Sequence, residues 1–61
     1  MCVVDLLKVI NEVVTVCITD LNGHTIASYS GKGNMDNTFH LSEVKNVDVE
    51  NEVLIIAIEY I

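Results

Sequence analysis

The sequence predicts an α+β domain, with one N-terminal helix packed on a four-stranded antiparallel sheet made of two hairpins. Three observations lead there. Apolar residues near the start recur at helical spacing, and two later pairs of β-branched runs are each joined by a short turn. The last of those runs, Val53-Leu54-Ile55-Ile56-Ala57-Ile58, is apolar throughout, as in a strand buried on both faces.

Val3, Leu6, Leu7 and Ile10 fall at i, i+3, i+4 and i+7, which predicts a helix over residues 3–11 with Asp5, Lys8, Asn11 and Glu12 on its wet side. A helix this short is unstable alone and needs a sheet to lie on. Residues 13–19 are β-branched almost throughout; Val14, Val16 and Ile18 share one face, and Val13, Thr15, Cys17 and Thr19 the other. Asn22-Gly23 then reads as a two-residue hairpin loop, since both residues tolerate positive φ. That loop sets Ile18 opposite Ala27 and Val16 opposite Tyr29, and leaves Cys17, Ile26 and Ser28 on the reverse face.

Residues 31–43 break the pattern; Met35, Phe39 and Leu41 are expected to fold back over an edge of the core, with Asp36 capping a single helical turn. The third strand covers residues 44–49 with Val47 and Val49 inward, and Asn51-Glu52 turns it into the fourth, residues 53–60, with Leu54, Ile56 and Ile58 inward.

Sixty-one residues make a single domain, 1–61, near the lower limit for folding without a disulfide, a metal or a partner. One helix covers one side of such a sheet. The other side would carry Val13, Cys17, Ile26, Val53, Ile55 and Ala57, an apolar surface that monomers seldom expose. Self-association through those residues is the first expectation, so the chain is read as a homo-oligomer.

Three basic residues against nine acidic ones give a net charge of -6. Direct nucleic-acid binding is disfavoured, because the basic footprint that neutralises phosphates is missing. A basic surface on another protein is the better match, and Asp20, Asp36, Glu43, Asp48, Glu50 and Glu52 at turns and edges are the candidate protein-binding residues. The bland alternative is that the charge keeps a hydrophobic little domain soluble.

Cys2 and Cys17 have no partners at short spacing, and His24 and His40 are isolated, so neither a metal nor a cofactor is expected. Ser28 or Ser30 with His24 lacks a glycine elbow and an oxyanion element, and the carboxylate pairs near the last hairpin lack a cleft. An enzyme is therefore not expected. Ser30, Gly31, Lys32 and Gly33, with Tyr29 beside them, form the one candidate ligand-binding stretch, an anion nest without the spacing of a phosphate loop. No segment is long and apolar enough to span a bilayer and no leader pattern opens the chain, so no membrane is expected and the chain is read as cytoplasmic.

The opening Val4-Asp5-Leu6-Leu7-Lys8-Val9-Ile10, the turn Thr19-Asp20-Leu21-Asn22-Gly23 and the run Val47-Asp48-Val49-Glu50-Asn51-Glu52-Val53-Leu54-Ile55-Ile56 resemble the very short acidic proteins of phages and prophages of Gram-positive bacteria. These stretches cover about half the chain, and the likeness is one of pattern, without a functional signature. It implies a non-enzymatic antagonist of host defence working in the cytoplasm of an infected bacterium. Such a protein would act as anti-CRISPR proteins do, by occluding a basic nucleic-acid-binding surface of a host defence protein. The alternative it implies is a homo-oligomeric sponge that sequesters a nucleotide-derived immune signal.

Overall fold

The computed structural model describes residues 1–60. In chain order it holds α1 (Val3–Leu7), β1 (Thr15–Thr19), β2 (Thr25–Tyr29), a short 3-10 turn η1 (Lys32–Asn34), β3 (Val44–Glu50) and β4 (Val53–Ile58). The expected α+β architecture of one short helix and a four-stranded sheet is present, but the sheet is mixed rather than antiparallel. Its order is β2-β1-β4-β3, with antiparallel hairpins on the outside and β1 and β4 pairing parallel at the centre.

The crossover explains the parallel pair. β2 ends where Tyr29 lies opposite Val16, near the start of β1, whereas β3 begins where Val44 lies opposite Ile58, at the far end of β4. Residues 30–43 must therefore travel the length of the sheet before the second hairpin begins, and that journey sets β4 running the same way as β1. Central parallel strands want apolar residues on both faces, which the run from Val53 to Ile58 supplies.

The core is Val3, Leu7, Val16, Ile18, Met35, Leu54, Ile56 and Ile58, with Leu6, Ile10, Val14, Ile26, Ala27, Tyr29, Phe39 and Val44 packed around it. Leu54, Ile56 and Ile58 are buried and alternate with half-buried Val53, Ile55 and Ala57, as expected from the period of two. The crossover carries Met35 and Phe39 into the same side, but Leu41 points away and is 83% exposed. Val47 and Val49 stand opposite Ile56 and Leu54 on the core face, yet both are exposed, since they lie on the outer strand toward the hairpin end, away from Val44, where the chain start meets β3.

The helix stops at Leu7 rather than continuing to residue 11. Beyond it Val9 faces solvent while Ile10 still packs on the core, and the Asn11 side chain accepts the Val13 N–H at 3.0 Å in a local turn that competes with helix. The first N–H groups of α1 are taken by the crossover: Val3 donates to the Ser42 carbonyl and Val4 to the His40 carbonyl, both at 2.9 Å.

In the first hairpin Val16 faces Tyr29 and Ile18 faces Ala27, as the sequence predicts, but by a different route. The loop is Leu21-Asn22-Gly23, closed by Asp20 N–H to the His24 carbonyl at 3.0 Å, with Gly23 at φ +86°. The register shifts beyond Ile18, so that Thr19 faces Thr25 and Ile26 is the unpaired residue of a bulge. Ile26 consequently packs against the core instead of joining the reverse face, and Thr25 takes the place beside Cys17, with Sγ and Oγ1 3.7 Å apart. The second hairpin turns on Asn51 and Glu52, both at positive φ (52° and 66°), the pattern of a two-residue I′ turn.

Candidate functional site

Everything outside the sheet that touches the core does so on the face of Val16, Ile18, Leu54 and Ile56. This leaves two distinct surfaces: a pocket beside α1, and the reverse face of the sheet, half-buried at Cys17, Val53, Ile55 and Ala57 and closed at Thr19, which is 5% exposed.

The reverse face can be read across the register. Cys17 lies between Ser28 and Ile55, and Ile55 in turn lies opposite Asp48; Thr15 faces Val53, and Val53 faces Glu50; Thr19 faces Ala57, and Ala57 faces Asn46. An apolar stripe along β4 is thus flanked by Thr15, Cys17 and Thr19 on β1 and by Asn46, Asp48 and Glu50 on β3. Of the six residues expected to form an apolar interface, Cys17, Val53, Ile55 and Ala57 share this face. Val13 precedes β1 and stands 80% exposed, and Ile26 is turned to the core by its bulge.

The six acids do not form one surface. Asp20 and Glu43 lie toward the end where β1 and β4 finish, Asp36 in the crossover, and Asp48, Glu50 and Glu52 around the second hairpin. Asp20 is tied into its own turn: its Oδ1 accepts N–H groups from Asn22 and His24 at 2.9 Å each, and Nδ1 of His24 is 3.3 Å from Oδ2. The His24 backbone N–H is the main cause that holds the Asp20 carboxyl below its usual range. Asp36 accepts the Thr38 N–H at 3.0 Å, and hydrogen bonds from Thr38, the side chain first, lower its pKa.

Tyr29 packs at the core edge; burial first, then the nearby Asp36, push its hydroxyl pKa up. Lys45, 3.0 Å from Glu43, lowers the Glu43 pKa, and Glu43 raises that of Lys45 in return. Among the described residues, Asp48, Glu50 and Glu52 have no ion-pair partner.

The pocket, of about 370 Å³, is lined by Val4, Leu7, Lys8, Glu12, Lys32, Gly33 and His40. Its geometry begins at Gly31, which is buried at φ +146° where a Cβ would come within 2.8 Å of the Glu12 carbonyl oxygen. Only glycine permits that approach, and it delivers Lys32 under the end of α1. There Nζ donates to the carbonyls of Leu7 at 2.7 Å and Ile10 at 2.8 Å, closing the helix end.

Of the expected ligand-binding stretch, therefore, only Lys32 and Gly33 line the pocket. Gly31 is a backbone spacer, Ser30 receives the Asn34 amide at 3.2 Å, and Tyr29 belongs to the core edge. Lys8 and His40 were not singled out as pocket residues by the sequence. Lys8 is four residues after Val4 on one side of a helix, which is a usable signal, but nothing local joins either to His40.

Among the described residues no group of three or more His, Cys, Asp or Glu is placed to hold a metal ion, and no helix is long and apolar enough to cross a membrane. No family model, curated protein or solved structure matches the chain.

Proposed function

We propose that the chain is a non-enzymatic binding protein that docks through the reverse face of its sheet on a basic, nucleic-acid-binding surface of a host defence protein, and so antagonises that defence. The observation that carries this reading is the row of Asp48 and Glu50, opposite Ile55 and Val53 in register, with no ion-pair partner among the described residues. An apolar stripe with a one-sided carboxylate rim suits a partner that is apolar at its centre and basic at its edge. The net charge of -6 works in the same direction by steering encounter with a positive groove. The role in phage defence rests on the pattern-level resemblance alone.

The test is inhibition of DNA binding by the guide-loaded effector nuclease of a CRISPR system from a Gram-positive host. Stoichiometric inhibition is expected, weakening at least about tenfold between about 50 and about 500 mM salt. The double change Asp48→Lys/Glu50→Lys should abolish it. Inhibition indifferent to both salt and that double change would sink the electrostatic mechanism, and DNA binding left untouched by a micromolar excess would sink the target class.

The same face is where a second copy of the chain would sit. A wild-type mass above 6.7 kDa in sedimentation that falls to the monomer with Ile55→Asp would assign the face to self-association instead. A polar residue at Ile56, which is fully buried, should unfold the monomer and so marks the opposite side of the same strand.

A further inference from the structure

We propose a second binding site, on the opposite side of the sheet from the docking face: the pocket between α1 and η1 takes a small organic anion, a phosphate or carboxylate head on an apolar body. It stands independently of the docking reading, since the two surfaces share no residue.

Three features converge. The chain has three basic residues, and two of them, Lys8 and Lys32, line this one pocket together with His40 and a single opposing carboxylate, Glu12. In a chain of net charge -6, the lining of this pocket holds two lysines against one carboxylate. Lys32 is also preorganised. Two of the three ammonium N–H groups are fixed by the Leu7 and Ile10 carbonyls, so the charge is held without further loss of rotamer freedom, and no third acceptor is present among the described residues. Finally, Val4 and Leu7 give this open pocket an apolar wall, and its volume of about 370 Å³ offers a small organic anion a surface to lie on as well as a charge to meet. Lys8, 72% exposed and 4.0 Å from Asp5, is the exposed cation at the mouth, within reach of the head group.

The experiment is an amide NMR titration of the whole chain with four probes: phenyl phosphate, benzoate, inorganic phosphate and benzyl alcohol. Saturable shifts centred on Val4, Lys8, Gly33 and His40 are expected with phenyl phosphate or benzoate. The comparison of those two identifies the head group. Inorganic phosphate and benzyl alcohol, each carrying half of the chemistry, should bind at least about tenfold more weakly.

Lys32 is a poor first substitution because it holds the end of α1, so the test uses exposed Lys8. Lys8→Glu should weaken the better probe about tenfold, the ~1.4 kcal/mol that reversing one surface charge at contact distance supplies, with the spectrum otherwise intact. His40→Gln provides an independent variant on the crossover wall. Shifts that fail to saturate by about 10 mM, map away from the pocket, or persist unchanged in Lys8→Glu would overturn the proposal.

Discussion

Replacing Lys32 by Met should cost this domain a large part of its stability, although Lys32 looks like an ordinary loop lysine in the sequence. Its Nζ makes two charge-assisted bonds, 2.7 Å to the Leu7 carbonyl and 2.8 Å to the Ile10 carbonyl, where α1 would otherwise end unsatisfied. Each bond from a charged donor is worth roughly 1.5–3 kcal/mol net, and partial burial lets water replace some of that, so about 2–3 kcal/mol is expected for the pair. A core of this size supplies only about 3–5 kcal/mol in total, so Lys32→Met should leave the fold marginal.

In a domain this small each kcal/mol moves Tm by about 4–8 °C, which predicts a fall of roughly 10–20 °C in circular-dichroism melts at neutral pH. The matched control is Lys8→Met. Lys8 is 72% exposed and only 4.0 Å from Asp5, a pair of the kind that contributes less than about 0.5 kcal/mol. Should the two variants melt together, the carbonyl bonds would carry no net stability, and packing of Val3 and Leu7 alone would be holding the helix.

Three further outcomes follow from the backbone and the turns. Glu52 sits at φ 66°, which costs a residue with a Cβ about 1 kcal/mol relative to glycine, so Glu52→Gly should raise Tm by several degrees; an unchanged or lower Tm would refute the I′ assignment. Gly31→Ala should lower stability by about 1–3 kcal/mol in urea unfolding, because its Cβ would meet the Glu12 carbonyl at 2.8 Å and φ is +146°. The Asp20 carboxyl has a folded pKa below the usual 3.8, so its stabilising effect is complete above that value and is lost as pH falls through the lower, folded one. Melts of wild type and Asp20→Asn should therefore differ at neutral pH, and the gap should narrow as pH falls below the ordinary carboxylate range; a constant gap would exclude the carboxylate as the cause.

The period-two pattern in β4 made Leu54, Ile56 and Ile58 legible as core, and β-branched runs with Asn and Gly between them made both hairpins legible. The first register could be read even though its loop was not. Extending the loop to three residues and bulging Ile26 compensate each other, so Ile18 still meets Ala27. The parallel pairing of β1 with β4 was not legible, because it depends on how far residues 30–43 travel, and their sequence has no periodicity to reveal it. The pocket was hidden for the same reason: Lys32 finds the Leu7 carbonyl across 25 positions of chain, and glycines beside a lysine suggest a nest until the carbonyls that occupy its ammonium are seen.

The fold also gathers three of the unpaired acids on one hairpin, and that bears on what the acidity is for. Each of the three lysines has a partner within the fold: Lys8 is near Asp5, Lys32 holds two carbonyls, and Lys45 lies between Glu43 and Glu59. Among the described residues the acids without an ion pair are Glu12 and Asp36, which lie elsewhere, and Asp48, Glu50 and Glu52, which share the hairpin bordering the reverse face. Were the charge there only for solubility, its position would be indifferent, and Asp48→Lys/Glu50→Lys would change binding no more than a comparable reversal elsewhere, such as Glu12→Lys. If it is a rim for docking, the same pair must weaken partner binding while leaving the α1 pocket untouched, and Lys8→Glu must do the reverse. Two surfaces on opposite sides of one sheet can be separated in this way, because charges beyond about 10 Å are screened at physiological salt and reversal on one side is scarcely felt on the other.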